Sequence, residues 1–291
     1  MTKSKRLFLF ASYDKDNIVD NTVIYYVSEL SKIGDVIFFA DNDLPDTELK
    51  KISTIPNVLY ANAKRHLEYD FGSYKRGYLW AKENKILDNY DWMYFVNDSV
   101  FGPLFDISHI LETLESSDAQ LVGMTDSHGA HTPVHIQSWF VGFSKQIFTS
   151  EFFDNFVNKI KHENTKIDIC YKYEVGLSNM IIRHGFKIKS LMQTSPNPLE
   201  TLTKGLPFVK KVVIAKIKKL RCLYPYLDNE ILIDYIKSYM HRNNIKMEKD
   251  SYNTVYELFL FNMPLLRIAV KNKVNYKVYL FRKIPVLKIK K

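Results

Sequence analysis

The sequence has little glycine, little cysteine and no long apolar run. Its 291 residues include 10 glycines and 2 cysteines. Neither a G-x-G-x-x-G fingerprint nor a P-loop is present, which argues against phosphate binding by a glycine-rich loop. Cys170 and Cys222 follow neither a CxxC nor a zinc-site spacing, which favours a reducing compartment. No stretch approaches the roughly 20 apolar residues of a membrane span, and the apolar run at residues 7–11 is too short for a signal peptide core.

Apolar and aromatic residues are plentiful, and charge is unevenly placed. Hydrophobic residues make up 46% of the chain and charged residues 25%, which is typical of a globular protein with a substantial core. Residues 1–203 carry 21 Lys and Arg against 26 Asp and Glu, whereas residues 204–291 carry 20 against 6. The basic character therefore belongs to the C-terminal segment. We predict a first domain over residues 1–203 and a basic, mainly helical appendage over residues 204–291.

Short apolar runs alternate with helical patterns up to about residue 200. Runs at residues 7–12, 36–39 and 92–96 predict buried strands, and amphipathic spacing at residues 20–32 and 70–85 predicts helices. This alternation favours an α/β fold in which helices flank a mostly parallel sheet. The pattern changes after the turn-forming segment Ser195-Pro196-Asn197-Pro198. Beyond it we predict helices at residues 209–220, 229–240 and 253–262, and a β-rich or irregular segment at residues 264–291.

The segment Asn97-Asp98-Ser99 follows a predicted buried strand and precedes a Gly102-Pro103 turn. In open α/β sheets, ligands bind beyond the carboxyl ends of the strands. One carboxylate with two small polar neighbours can hold a hydrated divalent cation and, through it, a diphosphate. Because Asn, Asp and Ser are also common turn residues, the pattern alone leaves a plain turn open.

Five segments, taken in order, resemble the rhamnan synthesis protein F family, which comprises bacterial polysaccharide glycosyltransferases with a GT-A-like fold. The resemblance covers roughly residues 7–200. The segments are Ala11-Ser12-Tyr13-Asp14, residues 69–75, residues 97–103, residues 135–140 and residues 173–178.

The resemblance implies an inverting transfer of a sugar from a nucleotide-sugar donor, usually dTDP-rhamnose, to a cell-surface polysaccharide or lipopolysaccharide. The acceptor would be lipid-linked or an oligosaccharide. Asp98 would bind Mg²⁺ or Mn²⁺, and Glu174 would take the proton of the acceptor hydroxyl. Acceptor contacts would come from Gln137, Ser138 and Trp139. Donor contacts would come from Ser12, Asp14, Asn42, Asp43, Asp70, Lys75, Asn97 and Ser99.

Several of these residues also have purely structural interpretations. Glu174 stands near the predicted start of a helix, where acidic residues are common and the helix dipole favours the ionised form. Asp70 is a good helix N-cap, and Trp139 fits a core position as well as a sugar-stacking one. His128, His131 and His135 do not match a zinc spacing, although one of them as a second ligand near Asp98 stays open.

The basic segment after residue 204 fits three roles. These are docking on the anionic inner membrane, nucleic-acid binding, and packing on the first domain as an appendage. No recognised nucleic-acid motif accompanies the charge, so we expect a packed appendage, weak membrane attraction and no nucleic-acid partner. The expected location is cytoplasmic and peripheral to the inner membrane. Because Asn97-Asp98-Ser99 has one carboxylate where a D-x-D signature has two, a non-catalytic carbohydrate- or nucleotide-binding scaffold remains an alternative.

Overall fold

The computed structural model describes residues 4–129, 132–193, 206–211, 230–245, 254–260, 263–271, 275–280 and 284–290. The chain divides into two compact units. The first combines Met1–Lys216 with Leu223–Ile245, and the second combines Ile217–Cys222 with Lys246–Lys291. The domain boundary after residue 203 stays a prediction, and the described residues 206–211 and 230–245 lie in the first unit.

The first unit is a mixed α/β structure whose elements alternate along the chain. Its strands are β1 Arg6–Ser12, β2 Asp35–Ala40, β3 Val58–Ala63, β4 Trp92–Asn97, β5 Val100–Phe101, β6 Leu121–Gly129, β7 Thr132–Ile136, β8 Phe140–Ser144, β9 Ile188–Gln193 and β10 Val209–Lys210. Its α-helices are α1 Asn21–Ser31, α2 Asp46–Ser53, α3 Tyr69–Glu83, α4 Ser108–Glu115, α5 Lys145–Phe148, α6 Glu151–Asn158, α7 Lys166–Ile169, α8 Gly176–Arg183 and α9 Glu230–Arg242. A 3₁₀ turn spans Leu87–Asn89, and a π-helical turn spans Cys170–Val175.

The central sheet has the order β3-β2-β1-β4-β8-β6-β7, and β9 pairs with β6. Pairing is parallel from β3 to β4, and β8 and β6 join antiparallel beyond it. Strands β1 and β4 are central, so their carboxyl ends meet at one edge, with Ala11 beside Asn97. The predicted fold, a mostly parallel α/β sheet flanked by helices, is confirmed.

Each face of the sheet buries its own apolar cluster, because successive side chains of a strand point to opposite faces. Leu7 and Leu9 of β1 pack with helix α3, as well as with residues from α6 and α8. Phe8 and Phe10, on the other face, pack with helices α1 and α4. The two apolar layers hold β1 and β4 rigidly and so fix the loops that follow them.

Three local predictions are wrong or incomplete. Helix α3 begins at Tyr69 with Glu68 in the N-cap position, so Asp70 lies inside the first turn and is not the cap. The residues predicted as a helix at 253–262 form a strand at Thr254–Leu260. Val209 and Lys210 also form a strand, whereas residues 212–220 of that predicted helix lie outside the described residues. The predicted helix at 229–240 is confirmed as α9.

The second unit contains an antiparallel sheet in the order β11-β12-β13-β14. The strands are β11 Thr254–Leu260, β12 Met263–Lys271, β13 Asn275–Leu280 and β14 Ile284–Lys290. Each strand pairs with the next one along the chain, which is the arrangement of a meander. Throughout the described segments, no helix combines the length and apolarity needed to cross a bilayer.

Candidate active site

A cleft of about 610 Å³ opens beyond the carboxyl ends of β1 and β4, where the topology predicts ligand binding. Most of the side chains predicted for the site line this cleft, although they come from five different parts of the sequence. They are Asp14, Asp70, Asn97, Asp98, Ser99, Gln137, Ser138, Trp139 and Glu174.

Asp98 sits directly after β4, with one oxygen bound to protein and the other without a hydrogen-bond partner among the described residues. Its Oδ2 atom accepts hydrogen bonds from Ser12 Oγ at 2.8 Å and from the Tyr13 backbone N–H at 3.2 Å. Burial raises the pKa of Asp98, although Lys211 and the bond from Ser12 act in the opposite direction. The β1 loop thus fixes the carboxylate and leaves Oδ1 for a ligand.

Asn97 links Asp70 to Ser99 at the floor of the cleft. Its Nδ2 donates to Asp70 Oδ2 at 2.8 Å, and its Oδ1 accepts from the backbone N–H and the hydroxyl of Ser99. Burial, followed by the negative charge of Asp98, raises the pKa of Asp70 from 3.8 to about 7. Two carboxyl groups therefore lie close enough in the cleft to oppose each other's ionisation.

Glu174 faces the cleft from the π-helical turn, and not from a helix N-terminus as the sequence pattern predicted, because the helical run already begins at Lys166. Ser138 donates both its backbone N–H, at 2.7 Å, and its hydroxyl, at 2.5 Å, to Glu174 Oε2. Burial alone would raise the pKa of Glu174, but the hydrogen bonds from His135 and Ser138 outweigh burial and lower it. These hydrogen bonds therefore favour the ionised carboxylate.

His135, which does not line the cleft, contacts the carboxylate of Glu174. Its Nε2 lies 3.5 Å from Glu174 Oε1, and its Nδ1 lies 2.9 Å from the Pro133 carbonyl oxygen. With an acceptor at each ring nitrogen, the imidazolium is favoured, and the hydrogen bond to Glu174 raises the pKa of His135. Both ring nitrogens are thereby committed within the protein. The side chains of His128 and His131 lie outside the described residues.

Four predicted site residues do not line the cleft. Ser12 orients Asp98, and Asn42 holds the backbone of Asp14 by accepting from its N–H at 2.9 Å and donating to its carbonyl at 2.6 Å. Asp43 accepts from the Arg65 backbone N–H. Lys75 points away, and its ammonium donates to the carbonyls of Asn158 and Ile160. Donor contact by these four residues stays a prediction.

Trp139 reaches the cleft but is 4% exposed, so most of its ring belongs to the core. Its Nε1 donates to Thr125 Oγ1 at 2.9 Å, and Thr125 in turn donates to Gln137 Oε1 at 2.8 Å. The ring packs edge-on against Phe140 and Phe208. The structural interpretation of Trp139 is therefore the stronger one for the ring, while Gln137 and Ser138 present polar atoms to the cleft.

The opposite wall comes from residues that the sequence motifs did not single out. Residues 206–211, which we call the strap, pair with the chain just after Asp98 and place Lys210 and Lys211 in the cleft. Tyr239 of helix α9 and Asn243, which comes just after the helix, also line the cleft. Arg242 of α9 binds Asp14 at 2.6 Å, Asp20 at 2.9 Å and Asp16 at 3.0 Å. The remaining lining residues are Tyr13, Lys15, Tyr69, Phe71, Lys166, Ile169 and Cys170.

The donor atoms fit a hydrated Mg²⁺ or Mn²⁺ that also binds substrate phosphates, and they do not fit a closed protein cage. Mg²⁺ is commonly held by one or two carboxylates together with phosphates and water. Asp98 offers such a carboxylate oxygen, next to the repelling carboxyl group of Asp70. Within the described part of the chain, no group of three or more His, Cys, Asp or Glu side chains is arranged to hold a metal ion.

Carboxylates that follow parallel strands at an open cleft form the kind of site at which open α/β sheets bind ligands. Comparison with known families identifies the class of protein: the model for rhamnan synthesis protein F matches residues 36–265. The chain therefore belongs to the rhamnan synthesis protein F family, as the resemblance predicted. This membership supports a glycosyltransferase of the nucleotide-sugar type.

The chain is also similar to an uncharacterized protein, y4gN, of Sinorhizobium fredii, with 22% identity over 181 residues. The match covers 62% of this chain and 46% of that protein, so the chain spans about half the length of this curated relative.

Two solved structures are similar at low identity. The first is a nucleotide-diphospho-sugar transferase, described as putative, from Desulfovibrio desulfuricans G20, with 11% identity, a TM-score of 0.42, and coverage of 84% of this chain and 100% of that one. The second is the glycosyltransferase GlyE of Streptococcus pneumoniae TIGR4, with 12% identity, a TM-score of 0.41, and coverage of 88% and 67%.

Proposed function

We propose that this protein transfers a sugar from a nucleoside-diphosphate donor to a hydroxyl group of a growing polysaccharide, with inversion at the sugar carbon. The observation that carries the proposal is that two different carboxylates line one cleft. The Asp98 carboxylate has one oxygen without a hydrogen-bond partner among the described residues, and the Glu174 carboxylate is ionised. The first suits a cation and diphosphate, and the second suits proton removal.

Asp98 is the residue that would hold the divalent cation, through the oxygen that the β1 loop leaves without a partner. The cation, when bound, neutralises charge on the leaving diphosphate. Ser12 and the Tyr13 backbone N–H hold Asp98 in one orientation. Asp70, Asn97 and Ser99 form a hydrogen-bonded floor beside it, which suits the hydroxyl groups of the donor sugar.

Glu174 is the proposed general base. Its ionised carboxylate accepts the proton of the acceptor hydroxyl while that oxygen attacks C1 of the donor sugar and the bond from C1 to the diphosphate oxygen breaks. Ser138 and His135 position the carboxylate and keep it ionised at neutral pH. Ser138 and Gln137 line the cleft together with Glu174, which supports their proposed contact with the acceptor.

The family resemblance supports dTDP-rhamnose as donor and a cell-surface polysaccharide or lipopolysaccharide, lipid-linked or oligosaccharide, as acceptor. The basic charge after residue 204 supports cytoplasmic work at the anionic face of the inner membrane. Each surface Lys or Arg near such lipids contributes about 1 kcal/mol to attraction.

The test is turnover of dTDP-rhamnose, UDP-glucose and GDP-mannose with Mn²⁺ and an added oligosaccharide acceptor, with hydrolysis by water measured alongside, both followed as release of the nucleoside diphosphate. We expect the wild type to turn over one of the three, and Asp98→Ala and Glu174→Gln to lose activity by about 100-fold or more. Asp118→Ala and Glu151→Gln, which remove exposed carboxylates outside the cleft, are the matched controls. Near-wild-type turnover in both cleft variants would overturn the assigned roles. Donor binding without turnover by the wild type would favour the scaffold alternative.

A further inference from the structure

The strap is fixed to the same stretch of chain that carries Asp98. Val209 pairs with Phe101 and Lys210 with Val100, and the Lys211 backbone N–H donates to the Ser99 carbonyl at 2.8 Å. Phe208, which is fully buried, anchors the strap among the rings of Tyr26, Trp139 and Phe140. The positions of both lysines relative to the candidate cation site are thus set by backbone pairing and core packing.

Lys211 lies on the Asp98 side of the cleft. Its ammonium stands 4.7 Å from the centre of the Tyr239 ring and 5.5 Å from that of Phe101. Aromatic faces attract and hold a cation at this range. The positive charge acts on Asp98 and Asp20, whose pKa values it lowers against the effect of burial. Across the described residues, no carboxylate lies within ion-pairing distance of this ammonium.

Lys210 lies on the Glu174 side of the cleft, where the charge of that carboxylate acts on it. Its ammonium donates to Gln137 Oε1 at 2.8 Å and stands 6.0 Å from the centre of the Trp139 ring. Burial lowers the pKa of Lys210, against the opposing effect of Glu174. In the part of the chain that the structure describes, Lys210 also lacks an ion-paired carboxylate. A half-buried ammonium with so few partners is stabilised when an anion binds beside it.

We propose that Lys210 and Lys211 bind the diphosphate of the donor, with Lys211 on the nucleotide side next to Asp98 and Lys210 on the sugar side next to Glu174. The inference rests on the proposed function and adds the residues that hold its leaving group. The diphosphate gains one negative charge when the bond to the sugar breaks. Ammonium groups beside Asp98 and beside Glu174 stabilise that charge where it develops.

The experiment measures binding of dTDP, UDP, GDP and the matching monophosphates dTMP, UMP and GMP to the full chain by calorimetry, with Mn²⁺ and at two salt concentrations. We expect Lys211→Gln to weaken diphosphate binding by about 10- to 100-fold. Lys210→Gln should weaken the diphosphates by a similar factor and leave the monophosphates unchanged, because the sugar-side phosphate is missing from them. The matched control is Lys187→Gln, which removes the same charge from an exposed ammonium outside the cleft.

The outcomes separate this inference from the proposed function. If the wild type binds dTDP, UDP or GDP and both strap variants bind as tightly as Lys187→Gln, the lysine assignment is wrong and the proposed function stands. If the wild type binds none of the nucleotides, the proposed function fails and the inference falls with it. Lys211→Arg keeps the charge and should retain most of the affinity. Equal loss in Lys211→Arg and Lys211→Gln, at an unchanged melting temperature, would overturn a role based on charge.

Discussion

The two walls of the cleft differ in charge, in origin and in how they are held. The acidic wall, with Asp70, Asp98 and Glu174, grows from the central sheet and the helices packed on it. The basic wall comes from residues far along the chain. Lys210 ends strand β10, Lys211 follows it directly, and helix α9 contributes Tyr239. Strand ends in an α/β sheet mark the first wall in advance. The second wall depends on a long-range pairing that no local pattern reveals.

The largest expected effect on stability comes from removing the buried side chain of Phe208, which holds the strap in the core. Phe208→Ala removes a fully buried ring, and we expect the free energy of unfolding in urea to fall by about 3–5 kcal/mol. Nucleotide binding should weaken as well, because the strap loses the packing that positions its lysines. The control is Phe105→Ala, since Phe105 is 46% exposed and its loss should change stability by about 0.5 kcal/mol or less. Equal stability of the two variants would contradict a core-anchored strap.

Asp70, in the acidic wall, should contribute a component of stability that depends on pH. The folded-state pKa of Asp70, about 7, exceeds its ordinary value of 3.8, so the folded protein binds this proton more tightly than the unfolded chain does. The contribution of Asp70 to stability should therefore decrease as pH rises between about 4 and about 7, by on the order of 2–4 kcal/mol. Asp70→Asn should remove this component in urea titrations at successive pH values. An unchanged pH slope in the variant would show that Asp70 does not carry the effect.

A smaller effect should follow when helix α9 loses its hold on the β1–α1 loop. Arg242→Met leaves Asp14, Asp16 and Asp20 without their shared cation, and we expect a loss of about 1–3 kcal/mol in the free energy of unfolding. Lys237→Met, on the same helix, removes an exposed pair with Asp234 and should cost about 0.5 kcal/mol or less. Equal free energies of unfolding in the two variants would show that the ion pairs of Arg242 with Asp14, Asp16 and Asp20 do not stabilise the protein.

The smallest change concerns the orientation of Glu174 alone. Ser138→Ala removes the hydroxyl donor and keeps the backbone N–H donor, so the pKa of Glu174 should rise. Because the ionised carboxylate is the active form, the acid limb of the pH–rate profile should move to higher pH. Ser108→Ala, at an exposed helix start, is the control. A profile that stays in place would mean that the hydroxyl does not tune Glu174.

The sequence predicts the sheet well because its strands are near-continuous apolar runs, as at Trp92–Asn97. It fails at Thr254–Leu260, where a short apolar run with Val, Tyr and Phe suits a strand as well as a helix. At the site, Asp98 and Glu174 were predicted from motifs and do meet in the cleft. Lys75 was predicted with them, but the direction of a side chain on α3 depends on the packing of α6, which no motif records. Arg242 and the strap lysines were missed for the same reason.

The pairing of Lys210 with Val100 has a consequence for the order of assembly during synthesis. Chains emerge from the ribosome N-terminus first, and domains fold as their residues become available. The sheet, with Asp98 and Glu174, can form once residues up to β9 have emerged. The strap and Arg242 arrive later, so the nascent chain holds its carboxylates before the lysines that would bind a diphosphate. If the lysines bind the diphosphate as proposed, the residues of the sheet are therefore available for folding before those that complete the nucleotide site.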